Sequence, residues 1–241
     1  MMKVIVGTEK QISELIAEEF IKQVNDKENS VLGLATGTSP LGVYANLVEA
    51  NKEGRVSFKK VVTFNLDEYI GLEGTHNQSY RYFMNDNLFD HIDIDKKNTH
   101  VLKGVGDYLA YGAQYDAEIA SFGGIDLQIL GIGSDGHIAF NEPGTSFDSL
   151  THFAELAEST IVDNSRLFND ISEVPTKAMT MGLKSIMNAK KIVLIALGNN
   201  KAKAIAALIN GPKTEKVPAS ILQDHPDVTI YCDEAAYSLV K

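Results

Sequence analysis

Val31-Leu32-Gly33-Leu34-Ala35-Thr36-Gly37-Thr38-Ser39-Pro40 is the stretch that decides the fold. Its first five residues are apolar without alternation, the pattern of a strand covered on both faces rather than one with a wet side. Hydroxyls around a glycine follow, and glycine lets the backbone turn. Ser39 then supplies a helix N-cap and Pro40 a residue suited to the first helical turn, so a helix is expected to about residue 53. The same succession recurs along the chain. Short apolar runs at 4–6, 61–64, 126–130, 191–197 and 228–231 alternate with stretches of helical character. After Thr8, which forms a capping box with Gln11, the residues Ile12, Leu15, Ile16, Phe20 and Val24 recur at helical spacing. Further helices are expected at 79–89, at 108–121 and from Lys201 to about residue 209. Repeated strand–loop–helix order predicts the α/β class, with an open, mostly parallel sheet and helices on both faces. No repeat, low-complexity segment or linker interrupts it, so 1–241 reads as a single domain. Residues 143–187 show no clear strand and are polar and helical in character, which predicts a lid over the sheet.

Composition narrows the function. The 241 residues carry 22 Lys+Arg against 32 Asp+Glu, a net charge of −10, which argues against a broad nucleic-acid or anionic-membrane surface. A local basic pocket remains compatible with that total. The lone Cys232 excludes an intrachain disulfide framework and a cysteine-based zinc site, and fits a reducing compartment. The N-terminus turns polar too quickly for a signal peptide, and no apolar run approaches the ~20 residues of a membrane span. A cytoplasmic protein is expected.

Four strand ends carry unusual polar residues, and in an open parallel sheet such ends converge on the site. Thr36, Gly37, Thr38 and Ser39 join a strand to a helix N-terminus, a setting that suits an anion such as phosphate. The loop lacks the Gly-Lys-Ser/Thr ending of a nucleotide P-loop and the three-glycine dinucleotide fingerprint, which argues against ATP and NAD. Asp67 and Glu68 follow the third strand between Leu66 and Tyr69, where partial burial would turn one carboxylate into a base. The densest cluster is Gly131-Ile132-Gly133-Ser134-Asp135-Gly136-His137-Ile138-Ala139-Phe140-Asn141-Glu142-Pro143. There Asp135 and Glu142 bracket His137, whose imidazole can take and return protons near neutrality while flanking carboxylates hold its tautomer. The same three residues could instead ligate a metal, although no second histidine sits at ligand spacing. Arg166 and Lys201 are candidate clamps for a phosphate, or ordinary surface cations. The remaining histidines read as structural or surface residues.

Val61-Val62-Thr63-Phe64-Asn65-Leu66-Asp67-Glu68-Tyr69 and the stretch from Gly133 to Pro143 closely resemble the two signature segments of the glucosamine-6-phosphate deaminase family. The likeness runs from Lys3 to about Glu234. It implies a Rossmann-like sugar-phosphate isomerase fold. The implied reaction turns α-D-glucosamine 6-phosphate and water into β-D-fructose 6-phosphate and ammonium, in amino-sugar catabolism. By position, Asp67 resembles the base that moves the C2 proton, and His137 the residue that opens the pyranose ring, with Asp135 and Glu142 as its partners. Thr36, Gly37, Thr38, Ser39, Arg166 and Lys201 resemble the phosphate site. The chemistry demands no cofactor and no metal. The implied partner is a small sugar phosphate, without nucleic acid or membrane.

Some members of that family are hexamers regulated through basic residues shortly after the Glu-Pro motif. Here Ser149-Leu150-Thr151-His152-Phe153-Ala154 carries no Lys or Arg, which resembles the short, unregulated members. A monomer is expected, with a homo-oligomer left open. Two rivals stand beside this reading. A 6-phosphogluconolactonase would share the fold and a histidine motif but leave Asp67 without a task. A sugar-phosphate sensor of transcriptional regulators would call for an attached helix-turn-helix, and the acidic total disfavours DNA.

Overall fold

The computed structural model describes residues 2–166 and 168–240, so Met1 and Lys241, the ends of the expected 1–241 domain, and Leu167, within the expected lid, lie outside the described residues. In chain order the elements are β1 (Lys3–Val6), α1 (Glu9–Asp26), β2 (Val31–Leu34), α2 (Leu41–Lys52), β3 (Val62–Asn65), β4 (Asp67–Tyr69), α3 (Tyr80–Met84, continued by a π-helical turn, Asn85–Phe89) and β5 (Thr99–His100). They continue with α4 (Tyr108–Ser121), β6 (Leu127–Leu130), β7 (His152–Glu155), α5 (Glu158–Ser165), β8 (Lys177–Thr180), α6 (Leu183–Met187), β9 (Ile192–Ala196), α7 (Ala202–Asn210), β10 (Val228–Cys232) and α8 (Glu234–Tyr237).

Seven strands form one wholly parallel sheet in the order β1-β10-β9-β6-β2-β3-β5. From β2 the chain builds outward to β3 and β5, then crosses to β6 on the other flank of β2 and builds the opposite way. Crossovers of one hand running in opposite directions lay their helices on opposite faces, which is why β2, β3, β6, β9 and β10 are buried at every residue. The reversal also opens a crevice at the carboxyl ends of β2 and β6, where such sheets place their ligands. The capping box at α1 forms as the spacing predicts, with Thr8 accepting from the Gln11 amide and Gln11 Oε1 accepting from the Thr8 amide.

Two expectations need correction. Ser39 does not cap α2. Pro40 occupies the N-cap in a helical conformation and the Leu41 amide donates to Thr38 O at 3.3 Å, so the helix begins one residue late and without a side-chain cap. The segment 143–187 is not a purely helical lid either. Its strands β7 and β8 join β4 in a second, antiparallel sheet of order β4-β8-β7, with α5 beside it. These strands are three or four residues long, and β7 alternates a buried Ala154 with exposed Phe153 and Glu155. They therefore lack the continuous apolar signature of the main sheet. Tyr69, Phe140, Ala154, Leu156 and Ala178 give the small sheet its own core.

The sheets meet at the end of β3. Asn65 donates to Leu34 O at 3.0 Å, the Tyr115 hydroxyl donates to Asn65 O at 2.8 Å, and the Met181 amide donates to Leu66 O at 2.7 Å. On the far side α4 packs backbone against backbone, since a Cβ on Gly112 would fall 2.2 Å from Thr151 O.

That contact yields a prediction in which two effects oppose. Alanine at position 112 gains about 1 kcal/mol of helix propensity. Forcing a Cβ into a backbone carbonyl costs about 3 kcal/mol, the upper end for overpacking, because the carbonyl cannot rotate aside. The net loss of about 2 kcal/mol should lower the Tm of Gly112→Ala by about 4–8 °C in calorimetry. A raised Tm would show that propensity wins and that α4 and β7 are free to separate.

Candidate active site

At the carboxyl end of β2, Gly37 adopts φ +92° with open space where a Cβ would stand, so the backbone conformation rather than crowding calls for glycine. The Thr36–Ser39 turn then enters α2, whose N-terminal amides have no side-chain cap. Beyond β6 the glycines serve another purpose. A Cβ on Gly133 would lie 2.2–2.6 Å from the His137 ring, so the imidazole occupies the space that a side chain would fill. The turn is closed by the Gly133 amide donating to His137 O at 2.9 Å and the Gly136 amide donating to Gly133 O at 3.1 Å.

His137 Nδ1 lies 2.8 Å from Asp135 Oδ1 and 3.7 Å from Glu142 Oε2. The shorter contact is within ion-pair reach but is bent away from a straight hydrogen bond. Burial works to raise the Asp135 carboxyl, but the His137 ring and amide outweigh it and hold the group below the usual carboxylate range. Glu142 extends the cluster to the second sheet's helix, its Oε1 accepting from Thr160 Oγ1 at 2.7 Å and from the Ala157 amide at 3.2 Å, at the start of α5. The ligand atoms of Asp135, His137 and Glu142 fall within 4.8 Å of one another, a spacing that suits a proton relay and would also admit a cation. Between His137 and Phe140, Ala139 holds φ +51°, a left-handed conformation that alanine rarely adopts. Its neighbours hold it there. The Phe140 amide donates to Thr180 Oγ1 at 3.0 Å, and Asn141 donates to Ile138 O and Met181 O at 3.0 and 2.8 Å.

The adjacent carboxyls Asp67 and Glu68 sit on one strand and so point to opposite sides of it. Glu68 is fully engaged, Oε1 accepting from the Tyr69 and Tyr80 amides at 2.8 and 2.9 Å and Oε2 from the Arg81 amide at 3.0 Å. Asp67 faces the crevice, and its Oδ1 is buried without a hydrogen-bond partner. Burial first, and the Glu68 charge second, push the Asp67 carboxyl up to about 8. Burial also pushes Glu68 up, to about 7, against the three amides that favour its ionised form.

One cavity of about 670 Å³ collects Thr36, Gly37, Thr38, Ser39, Asp67, His137, Arg166 and Lys201 in its lining. Asp135 and Glu142 stand behind His137 rather than in the wall. Arg166 follows the last residue of α5, and Lys201 ends the turn that opens α7. Tyr80, Thr160, Asn164, Asn200 and Glu9 also line the cavity; Asn164 and Asn200 adjoin Arg166 and Lys201 in stretches that share the family resemblance, while the sequence did not single out Tyr80, Thr160 and Glu9. Thr160 and Asn164 do carry a readable signal, since a spacing of four places both on one face of α5.

Comparison with known proteins gives the chain its relatives. The sequence profile described as "Glucosamine-6-phosphate isomerases/6-phosphogluconolactonase" matches residues 7–231. A protein of Thermoanaerobacter pseudethanolicus named glucosamine-6-phosphate deaminase is 54% identical, covering 99% of this chain and 95% of its own length. One of Clostridium perfringens with the same name is 48% identical, with 100% of each chain covered. A solved structure described as a monomeric glucosamine-6-phosphate deaminase superposes with a TM-score of 0.97 at 42% identity, covering 99% of this chain and 100% of that one. A 6-phosphogluconolactonase from Trypanosoma brucei reaches a TM-score of 0.79 at 16% identity, covering 100% of this chain and 99% of that one, a likeness of fold alone. On the profile match and the full-length relatives together, the chain belongs to the glucosamine-6-phosphate isomerase/6-phosphogluconolactonase family, and within it to the glucosamine-6-phosphate deaminases.

Proposed function

We propose that the protein converts α-D-glucosamine 6-phosphate and water to β-D-fructose 6-phosphate and ammonium, with the phosphate bound at the Thr36–Ser39 turn and the sugar carbons lying toward Asp67 and His137. The observation that carries this reading is the unpartnered, buried oxygen of Asp67 in the same cavity as Arg166, Lys201 and the start of α2. A C–H next to a carbonyl or imine is a weak acid, and a base whose proton affinity is raised toward neutrality is matched to it. A lactonase would use such an oxygen only to activate water and would abstract no proton from carbon, and the relatives at 48–54% identity over the full length carry the deaminase name, which favours the deaminase reading.

In this reading Arg166, Lys201 and the uncapped amides of α2 hold the phosphate, which takes no part in bond-making but orients the carbons. His137 accepts the O1 proton and returns one to the ring oxygen, which opens the pyranose. Asp135 stabilises the imidazolium, and Glu142 fixes the turn to α5. Asp67 removes the C2 proton to give an enolamine. Protonation at C1 yields an iminium at C2, water adds there, and ammonium departs to leave the ketose. No step calls for a metal or a cofactor.

We read the protein as a monomer acting in the cytoplasm. Its likeness to a monomeric deaminase supports the first part, and the second is supported only by the metabolic role of its relatives. No helix among the described residues is long and apolar enough to cross a membrane.

Purified protein incubated with glucosamine 6-phosphate should release ammonium and fructose 6-phosphate in equal amounts. Asp67→Asn should lose solvent exchange of the C2 proton by at least about a hundredfold, within the range of general-base effects, while inorganic phosphate still competes with substrate for the site. Retained exchange would remove Asp67 from the role of base. Initial rates should follow a hyperbola in substrate; a sigmoidal curve made hyperbolic by N-acetylglucosamine 6-phosphate would contradict the unregulated monomer.

A further inference from the structure

Glu68 lies behind the proposed base and has no role in the mechanism above. It is 1% exposed, and all three of its hydrogen bonds come from backbone amides. Two of these belong to Tyr80 and Arg81, the first residues of α3, while Ser79 Oγ accepts from the third, Tyr82. The Glu68 carboxylate therefore takes the place of a helix cap reached from another strand. Tyr80 lines the cavity with Asp67 and is stacked on Phe140 at 6.0 Å. Arg81 continues the tie to the far edge of the main sheet, donating to Thr99 Oγ1 and Thr99 O at 2.7 and 2.6 Å. One buried carboxylate thus joins the strand of the base, the aromatic wall of the same cavity and the edge strand β5.

We propose that Glu68 is a positioning residue for the reaction: it fixes Tyr80 as the wall facing Asp67 and keeps a negative charge directly behind the base, so that Asp67 holds a proton more strongly once it has taken one. Three backbone amides and the Arg81 guanidinium favour this charge, and the tyrosines beside the pair add none of their own. The hydroxyls of Tyr44, Tyr69, Tyr80 and Tyr115 are all raised by burial and stay neutral at working pH. Strand β8 brings only Thr180, Met179 and Ala178 opposite β4. Arg81 is the cation near Glu68, while His137, Arg166, Lys201 and Glu9 line the same cavity as Asp67 and are unchanged in every variant of the test.

The proposal rests on the deaminase reading, and the test separates the two. In Glu68→Gln the amide accepts on one side only and turns a donor toward a backbone N–H on the other, and the charge is gone. The acidic limb of kcat/KM against pH should move down by about one unit, as expected for the loss of a like charge, and the plateau should fall about threefold because a base weaker by one unit transfers protons more slowly at a Brønsted slope of about one half. Ser79→Ala loosens the same helix start without touching the charge. It should lower Tm while leaving the limb in place. Should the glutamine chain not fold, Glu68→Asp serves: the limb should stay within about 0.3 unit of wild type while kcat falls, because the charge remains and the reach shortens. A Glu68→Gln enzyme with an unmoved limb and plateau, a Ser79→Ala limb shifted as far as that of Glu68→Gln, or a Glu68→Asp limb displaced by a full unit would overturn the proposal. A wild-type protein that released no ammonium would overturn the deaminase reading first, and the positioning role with it.

Discussion

One unpaired carboxyl oxygen, Oδ1 of Asp67, is the constraint on which the rest of the site depends. A charged group buried without partners is costly, and a protein answers by raising its affinity for a proton. The raised carboxyl is useful to the proposed chemistry only if nothing in the protein satisfies it. The architecture keeps it so. At Leu66 the chain leaves the parallel sheet, and at Asp67 it enters the antiparallel one, so the residue stands where no neighbouring strand offers it a donor. Asn65, Tyr115 and Met181 pin the backbone on either side through hydrogen bonds that leave the side chain alone.

The acidic balance of the chain acquires a different meaning in this light. Ten net negative charges would repel a sugar phosphate at long range, yet solution charge is screened over ~8 Å at physiological salt. In the proposed reading, binding then rests on what lies within that distance: Arg166, Lys201 and the start of α2, in a cavity that also has Glu9 in its lining. The field is local, and the total charge says little about it.

Six strands of the parallel sheet were legible because they are apolar runs, whereas the two-residue edge strand β5, Thr99-His100, has no such signature. Val31 to Leu34 and Ile192 to Ala196 are buried throughout, as runs without alternation must be. The ten candidate site residues were legible as a set, since a parallel sheet gathers its strand ends: the two long motifs carry Asp67, Asp135, His137 and Glu142, and eight of the ten line one cavity. The second sheet was not. Asp67-Glu68-Tyr69 reads as a polar loop, and β7 and β8 take their stability from pairing and from a small core supplied by distant residues such as Phe140. The adjacent acids illustrate the same limit. Their spacing shows that they diverge on a strand, but which one meets amides and which meets the cavity is decided by α3, twelve residues further on for Tyr80. The failed cap at Ser39 is a smaller case, in which a local preference gave way to a turn that leaves the amides of α2 uncapped.

The central claim, that Asp67 is held unpaired at a cost to the fold, is tested by the stability of the wild type against Asp67→Asn as a function of pH. The folded carboxyl is raised to about 8 from an unfolded value near 3.8. The unfolded chain therefore gives up this proton first, and the wild type must lose stability relative to the variant as pH climbs from about 4 to 8, with a constant gap above that. Denaturant midpoints at pH 5 and pH 8.5 should show the asparagine variant gaining ground at the higher pH. Parallel curves across that range would mean that Asp67 has found a partner in solution, and the account would fail at its base.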